Sequence, residues 1–314
     1  MHKNTGALLE EVQLTVNSII KGKEGIVQKA LAAIIGGGHI LMEDIPGVGK
    51  TTLATTLART LSLDYRRVQF TPDVLPSDLL GFSMYHSQKG TFEFQKGAVF
   101  CNLLLADEIN RTSPKTQSAL LEVMEERQVS IEGETRSLPD PFIVIATENP
   151  SGSSGTQLLP ESQLDRFLVC LSMGYPKHED AVALLKGEVW KRLTDITPVL
   201  SLKDLKDIQN QTADIFVDDS MYEYIVNLVE ATRDNSLFAL GASPRAGIAL
   251  LRMARAMAML AGRDFVTAKD VQSILCDVLC HRVRLSARCR AEGVTVTEAV
   301  GRLTDIVRCP KLIE

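Results

Sequence analysis

The sequence predicts an α/β protein with a mainly parallel sheet, followed by a smaller all-α domain. Three observations carry this reading. The first half alternates short apolar strands with amphipathic helices. From about residue 178 strand signals nearly vanish while helical periodicity continues. Between them in importance is a glycine-rich stretch at 44–52 that joins an apolar strand to a helix. The 314 residues suit two domains, expected at 1–175 and 176–314.

The elements follow in order. Helices are expected at 7–20 and 24–36, with Leu8, Val12, Val16 and Ile19 spaced along one buried face. Gly36-Gly37-Gly38 stops the second helix. A short buried strand at 39–43 comes next, then a helix at 50–61. Further strands are expected at 67–70, 100–106, 142–147 and near 167–171, with a helix at 114–126 rich in strong helix formers. Two β-hairpins interrupt this frame, at 83–96 around Lys89-Gly90 and at 128–137 around Glu132-Gly133. The second domain is expected to hold helices at 178–190, 202–211, 218–232, 244–261, 267–281 and 296–308. Ser243 and Pro244 are placed as N-cap and first helical residue of the fourth of these.

Composition narrows the function. A formal charge of −5 provides no global basic field, which argues against nucleic acid as the main partner. The first residues lack an apolar signal region, and no apolar run reaches the roughly 18 residues of a spanning helix. Six cysteines, at 101, 170, 276, 280, 289 and 309, lie in apolar or helical surroundings and read as reduced thiols of a cytoplasmic protein. Cys276, Cys280 and His281 offer a metal reading, but they share one expected helix with no second cluster, so the core-thiol reading is preferred.

The chemistry begins at Asp44-Ile45-Pro46-Gly47-Val48-Gly49-Lys50-Thr51-Thr52. A phosphate-binding loop needs glycines that let successive N–H groups turn inward, a helix N-terminus facing the anion, a lysine for the β and γ phosphates and a hydroxyl for Mg²⁺. Gly47, Gly49, Lys50 and Thr51 supply these in order, with Val48 and Thr52 completing the loop. Asp44 stands where the pattern usually opens with glycine, and is expected to flank the loop without touching phosphate. Next, the apolar strand Leu103-Leu104-Leu105-Ala106 ends in Asp107 and Glu108. Such a strand delivers carboxylates to the sheet edge that carries the phosphate loop, Asp107 to orient Mg²⁺ and Glu108 to polarise the attacking water. Alone, that acidic pair is a common helix start; paired with the upstream loop it becomes specific. Asn149 follows a third apolar strand, where its amide can reach the attacking water or γ-phosphate, although Asn149-Pro150 is also an ordinary turn. Arg166 and Arg245 complete the set, since a guanidinium offers the bidentate stabilisation that charge spread over equatorial oxygens requires.

At this point the chain resembles the MoxR branch of the AAA+ ATPases. The resemblance rests on Leu103-Leu104-Leu105-Ala106-Asp107-Glu108-Ile109-Asn110-Arg111 with Pro114-Lys115-Thr116-Gln117 after it. Phe70-Thr71-Pro72-Asp73, Leu159-Pro160-Glu161-Ser162-Gln163-Leu164-Asp165-Arg166-Phe167 and Gly241-Ala242-Ser243-Pro244-Arg245 add to it. It spans about residues 18 to 310. It implies a P-loop AAA+ αβα core with a small helical lid, ATP and Mg²⁺ as ligands, and a ring that is commonly a hexamer. By the same match Asn149 is the sensor-1 residue, Arg166 the candidate arginine finger and Arg245 the sensor-2 arginine. The hairpins correspond to insertions that face the ring's pore, where Tyr85 and Phe92 either grip a partner or pack locally, and Phe94 is read as a packing residue. Proteins of this type resemble chaperones that assist assembly or cofactor insertion, often beside a partner carrying a von Willebrand factor A domain.

Three functions remain in view: a ring ATPase acting on protein partners, a nucleic-acid motor of the same superclade, and a nucleotide-gated binding module with little turnover. Lys89, Lys96 and Arg136 are too few basic hairpin residues for a phosphate track, which weakens the second. The full catalytic set weakens the third.

Overall fold

A computed structural model describes residues 3–149, 159–186, 193 and 195–310. Helices α1 (Lys3–Ile19) and α2 (Glu24–Ile35) precede strand β1 (Ile40–Glu43). Helix α3 (Lys50–Thr60), strand β2 (Tyr65–Gln69) and the short α4 (Pro76–Leu80) lead into a hairpin of β3 (Gly81–His86) and β4 (Thr91–Lys96). Strand β5 (Leu103–Asp107) is followed by α5 (Pro114–Glu126) and a second hairpin, β6 (Gln128–Ile131) with β7 (Glu134–Ser137). Then come β8 (Ile143–Glu148), α6 (Glu161–Leu164) and β9 (Val169–Leu171).

The five strands β2-β5-β8-β1-β9 form one sheet, and every pairing in it is parallel. Alternation decides which side each residue serves. Leu103, Leu105, Ile143, Ile145, Ile40 and Met42 enter the core that α1, α2 and α3 cover. Leu104, Ala106, Val144, Ala146 and Leu41 enter the opposite core, beneath α5. A sheet buried on both faces reads as continuous apolar strands, which is why β5 and β8 stand out in the sequence. The edge strand β2 is half exposed and carries Arg66 and Arg67, so it lacks that signature and starts two residues before the expected 67. Strand β5 starts at Leu103, later than the expected 100, because Leu103 is the first residue to pair, opposite Tyr65.

The remaining chain is mainly helical: α7 (His178–Leu185), α8 (Leu202–Ala213), α9 (Asp219–Glu230), α10 (Pro244–Leu260) and α11 (Ala268–Leu279). Three short helices follow, α12 (Ala287–Ala291), α13 (Val296–Gly301) and α14 (Leu303–Ile306). The expected extension of the first helix to 190 lies largely outside the described residues. Two differences from expectation concern local detail. The helix expected at 296–308 divides at Arg302, and an antiparallel pair, β10 (Phe238–Leu240) with β11 (Arg284–Leu285), sits among the helices. Phe238 and Leu285 are buried where the pair forms, and runs of two or three residues are too short to show a strand period. Ser243 caps α10 as expected, accepting from the Arg245 amide at 3.1 Å, with Pro244 in the first turn.

The helical part is bolted to the sheet unit at the end of α2. Arg252 donates to the carbonyls of Gly36 (2.9 Å) and Gly37 (2.6 Å), and Gln209 donates to that of Ile34 (2.8 Å). The carbonyls of Gly36 and Gly37 lie at and just past the end of α2, where a helix leaves them without an intrahelical partner. Among the described residues no helix is long and apolar enough to cross a membrane.

Leu105 is fully buried on β5, an interior strand of the sheet. Leu105→Ala is expected to lower unfolding free energy by about 2–5 kcal/mol, read from chemical denaturation.

Candidate nucleotide site

The parallel register places the C-terminal ends of β2, β5, β8 and β1 along one edge. Gln69 lies opposite Asp107, and Glu43 opposite Glu148. The loop after β1 opens a cavity of about 410 Å³ there, lined by Gly47, Gly49, Lys50, Thr51, Thr52, Asp107, Glu108 and Asn149, together with Pro46, Arg67 and Gln69. Thus eight of the eleven residues singled out in the sequence share one cavity. Val48 belongs to the same loop but packs its side chain against the core.

The loop's shape depends on its glycines. Gly47 (φ 85°) and Gly49 (φ 102°) adopt positive φ values that side chains disfavour, and Gly49 leads directly into α3. A methyl group at Gly47 would touch nothing within 4 Å, so backbone conformation, not space, requires glycine there. Lys50 Nζ donates to the Asp44 carbonyl at 2.7 Å, within the arc of the loop. Burial lowers the Lys50 ammonium below its ordinary value, while the charges of Asp44, Asp107, Glu108 and Glu148 pull it back up.

Asp44, the departure from the usual pattern, faces away from the cavity. Its buried carboxylate accepts from Ser172 Oγ (2.9 Å), the Met173 amide (2.5 Å) and the Gly174 amide (3.0 Å). The start of the loop is therefore tied to the segment following β9, a connection no glycine could make.

The two acids are held differently. Asp107 accepts from Thr147 Oγ1 at 2.6 Å and from Arg67 at 2.7 Å. Glu108 has left-handed backbone angles (φ 57°, ψ 50°), a strained conformation for a side-chain-bearing residue that costs about 1–3 kcal/mol. Its amide donates to Thr147 Oγ1 at 2.9 Å, and its carboxylate accepts from Gln69 Nε2 (3.0 Å) and Arg111 (2.7 Å). Thr147 thus joins both acids. The Asn149 carbonyl accepts from Asn110 Nδ2 at 3.4 Å. A flexible glycine loop, an ammonium, a hydroxyl and two carboxylates on one cavity form a donor set that fits a polyphosphate with a divalent cation.

Arg67, Gln69, Arg111 and Thr147 were not singled out in the sequence. Only the strand register brings the first two beside Asp107 and Glu108. Glu148 was also missed: burial and a hydrogen bond shared with Glu43 push its carboxyl up to about 8.

Arg166 and Arg245 lie elsewhere. They line a second cavity of about 280 Å³, with Glu125 and Asp165. Arg166 approaches Glu125 Oε2 at 3.4 Å, and Arg245 donates to Glu125 Oε1. The neighbouring Asp165 accepts from Ser243 Oγ (2.7 Å) and from the buried Arg282 (2.8 Å), fastening this corner of the sheet unit to the helical part. Cys276 and Cys280 reach Thr297, while the half-buried His281 lies against the Phe167 carbonyl and Arg282, its charged form disfavoured by desolvation.

A strand-loop-helix phosphate cradle beside a strand ending in Asp-Glu, with a helical unit fastened behind, defines a P-loop ATPase of the AAA class. Residues 39–169 match the family described as "ATPase family associated with various cellular activities (AAA)", and 230–303 match the AAA lid domain. The chain is 39% identical to Chaperone MoxR1 of Mycobacterium tuberculosis over 97% of its length and 83% of that protein. It is 30% identical to Protein MoxR of Paracoccus denitrificans, over 89% of each, and 42% identical to YeaC of Bacillus subtilis, over 99% and 96%. A crystal structure of a candidate ATPase from Cytophaga hutchinsonii superposes with a TM-score of 0.88 at 38% identity, covering 98% of this chain and 96% of that one. The chain belongs to the MoxR family of AAA+ ATPases, a chaperone-like group.

Two outcomes test this geometry. Asp44→Ala leaves the buried Met173 amide and the half-buried Gly174 amide without their acceptor and is expected to lower stability by about 1–3 kcal/mol in thermal or denaturant unfolding. For Glu148, the folded pKa lies above the value of 4.5 it would have unfolded. Between about pH 4.5 and 8 the folded form retains a proton that the unfolded form has lost, so stability should fall as pH rises through that window. Glu148→Gln should flatten a slope of up to about 1.4 kcal/mol per pH unit, measured by denaturation across that range.

Proposed function

We propose that the chain hydrolyses ATP in a ring, commonly a hexamer in this family, and uses the cycle to remodel or mature protein partners. The observation that carries the reading is the division of its charged groups. The phosphate loop, Asp107, Glu108 and Asn149 converge on one cavity, whereas Arg166 and Arg245 line another. The cavity's own arginine, Arg67, is paired with Asp107, and Arg111 is paired with Glu108; an arginine for the γ-phosphate is then supplied by a neighbouring subunit, which makes hydrolysis depend on assembly.

In this reading residues 1–175 form the nucleotide core and 176–314 the lid. Lys50 and the loop amides bind the ATP phosphates. Thr51 and Asp107 would hold Mg²⁺, which would supply positive charge to offset that of the phosphates. Glu108 polarises the attacking water, with Gln69 and Arg111 setting its orientation, and Asn149 reaches the water or γ-phosphate. Arg166 acts as the finger, and Arg245 joins it on the neighbour's nucleotide rather than its own. The name of the M. tuberculosis relative, Chaperone MoxR1, supports a protein client. The exposed Tyr85 and Phe92 on the first hairpin, whose rings lie 5.2 Å apart, offer such a client an aromatic surface. Phe94 instead packs on Phe100 and beneath Arg136 of the second hairpin. A cytoplasmic location and a partner with a von Willebrand factor A domain belong to the same reading.

The test is the mass of the assembly in solution, with and without ATP and Mg²⁺, while phosphate release is followed. An ATP-dependent ring that hydrolyses supports the reading; a monomer that binds ATP without assembling or turning over removes it. Lys50→Ala should abolish nucleotide binding. Glu108→Gln should bind ATP and stall. Arg166→Ala should retain binding yet lose hydrolysis by roughly 10³-fold. Mixed with Glu108→Gln subunits, it should regain part of the activity, because each variant supplies what the other lacks.

A further inference from the structure

Arg166 and Arg245 come from different parts of the chain, one just before β9 in the sheet unit and one in the first turn of α10. Two guanidiniums brought together repel unless an anion lies between them. The anion is Glu125, near the C-terminal end of α5, whose two carboxylate oxygens are divided between the arginines: Oε2 faces Arg166 and Oε1 accepts from Arg245. The other arginines of this cavity are engaged structurally. Arg127 and Arg252 donate to the Gly37 carbonyl, and Arg282 is held by Asp165 and backbone carbonyls.

Arg166 differs from these. Its Nε is buried and has no hydrogen-bond partner among the described residues, and its only ion pair there is the 3.4 Å approach to Glu125. A guanidinium carries five N–H donors in a fixed fork, so an acceptor on one edge orients the plane and leaves the remainder for a second anion. We propose that Glu125 is a positioning residue: it binds one edge of each arginine, aligns them as a pair and couples the finger on the core to the arginine of the lid. The remaining donors are then presented together to the γ-phosphate of the neighbouring subunit's nucleotide. This rests on the reading that both arginines act in trans. Because Glu125 does not line the phosphate-loop cavity, its removal leaves the subunit's own nucleotide binding intact.

The experiment compares ATP turnover of Glu125→Gln, Glu125→Asp, Arg166→Ala and Arg245→Ala in the full-length assembly. Glutamine keeps the shape but loses the charge that two guanidiniums share. Glu125→Gln is expected to lower kcat by at least ~10-fold with KM for ATP within about twofold, as for an interaction used in the transition state and not in binding. Glu125→Asp keeps the charge on a shorter arm and should fall between. Mixing Glu125→Gln with Glu108→Gln subunits should restore turnover, since the former retains an intact site and the latter an intact arginine pair. A general folding defect would not be repaired in this way. If both arginine variants are inactive while Glu125→Gln turns over normally, or if mixing gives no rescue, Glu125 has no such role. If Arg166→Ala and Arg245→Ala both hydrolyse at the wild-type rate, the trans reading itself falls and takes this proposal with it.

Discussion

The in-register parallel pairing of β2, β5, β8 and β1 is the constraint on which the rest depends. Backbone hydrogen bonds among β5, β8 and β1, whose side chains are buried on both faces, leave almost no freedom to slip, and the half-exposed β2 pairs in register along β5. A shift of one residue would move Leu103 and Leu105 out of one core and Leu104 and Ala106 out of the other. With that register held, the strand ends fall level, and Gln69, Asp107, Thr147 and the loop after β1 meet without any side chain having to reach far.

Around this edge the chain sustains features that would be unfavourable in isolation. Glu108 keeps left-handed backbone angles because Thr147 holds its amide and Gln69 and Arg111 hold its carboxylate. Glu148, buried beside the exposed Glu43, is accommodated by favouring its protonated form over a buried charge. Asp44 occupies a position where glycine would serve the loop alone, and there it accepts three hydrogen bonds from the segment leaving β9. Each of these is a local cost or departure that the surrounding contacts balance.

The second cavity follows a different principle. Asp165 anchors the helical part through Ser243 and Arg282, while its neighbour in sequence, Arg166, shares Glu125 with Arg245. Adjacent residues thus face different partners, Asp165 as a fastening and Arg166 through Glu125, so any shift of the helical part relative to the sheet is felt at Arg166. That is the arrangement expected where domain position and reactivity are coupled.

Much of the molecule was legible from residue order alone. Strands buried on both faces announce themselves as apolar runs, and a phosphate loop is local, because a strand, two glycines, a lysine and a hydroxyl are all consecutive. The helices of the second part and the Ser243 cap were readable for the same reason, since a helix is made of contacts three and four residues apart. The sequence could not show that Asp44 turns to Ser172, that Arg67 and Gln69 stand beside the two acids, or that Glu125 lies between Arg166 and Arg245. Those partners are separated by 128, about 40, and 41 to 120 positions, distances across which no periodicity carries information. Only the stacking of strands and the docking of the helical part bring them within hydrogen-bond reach.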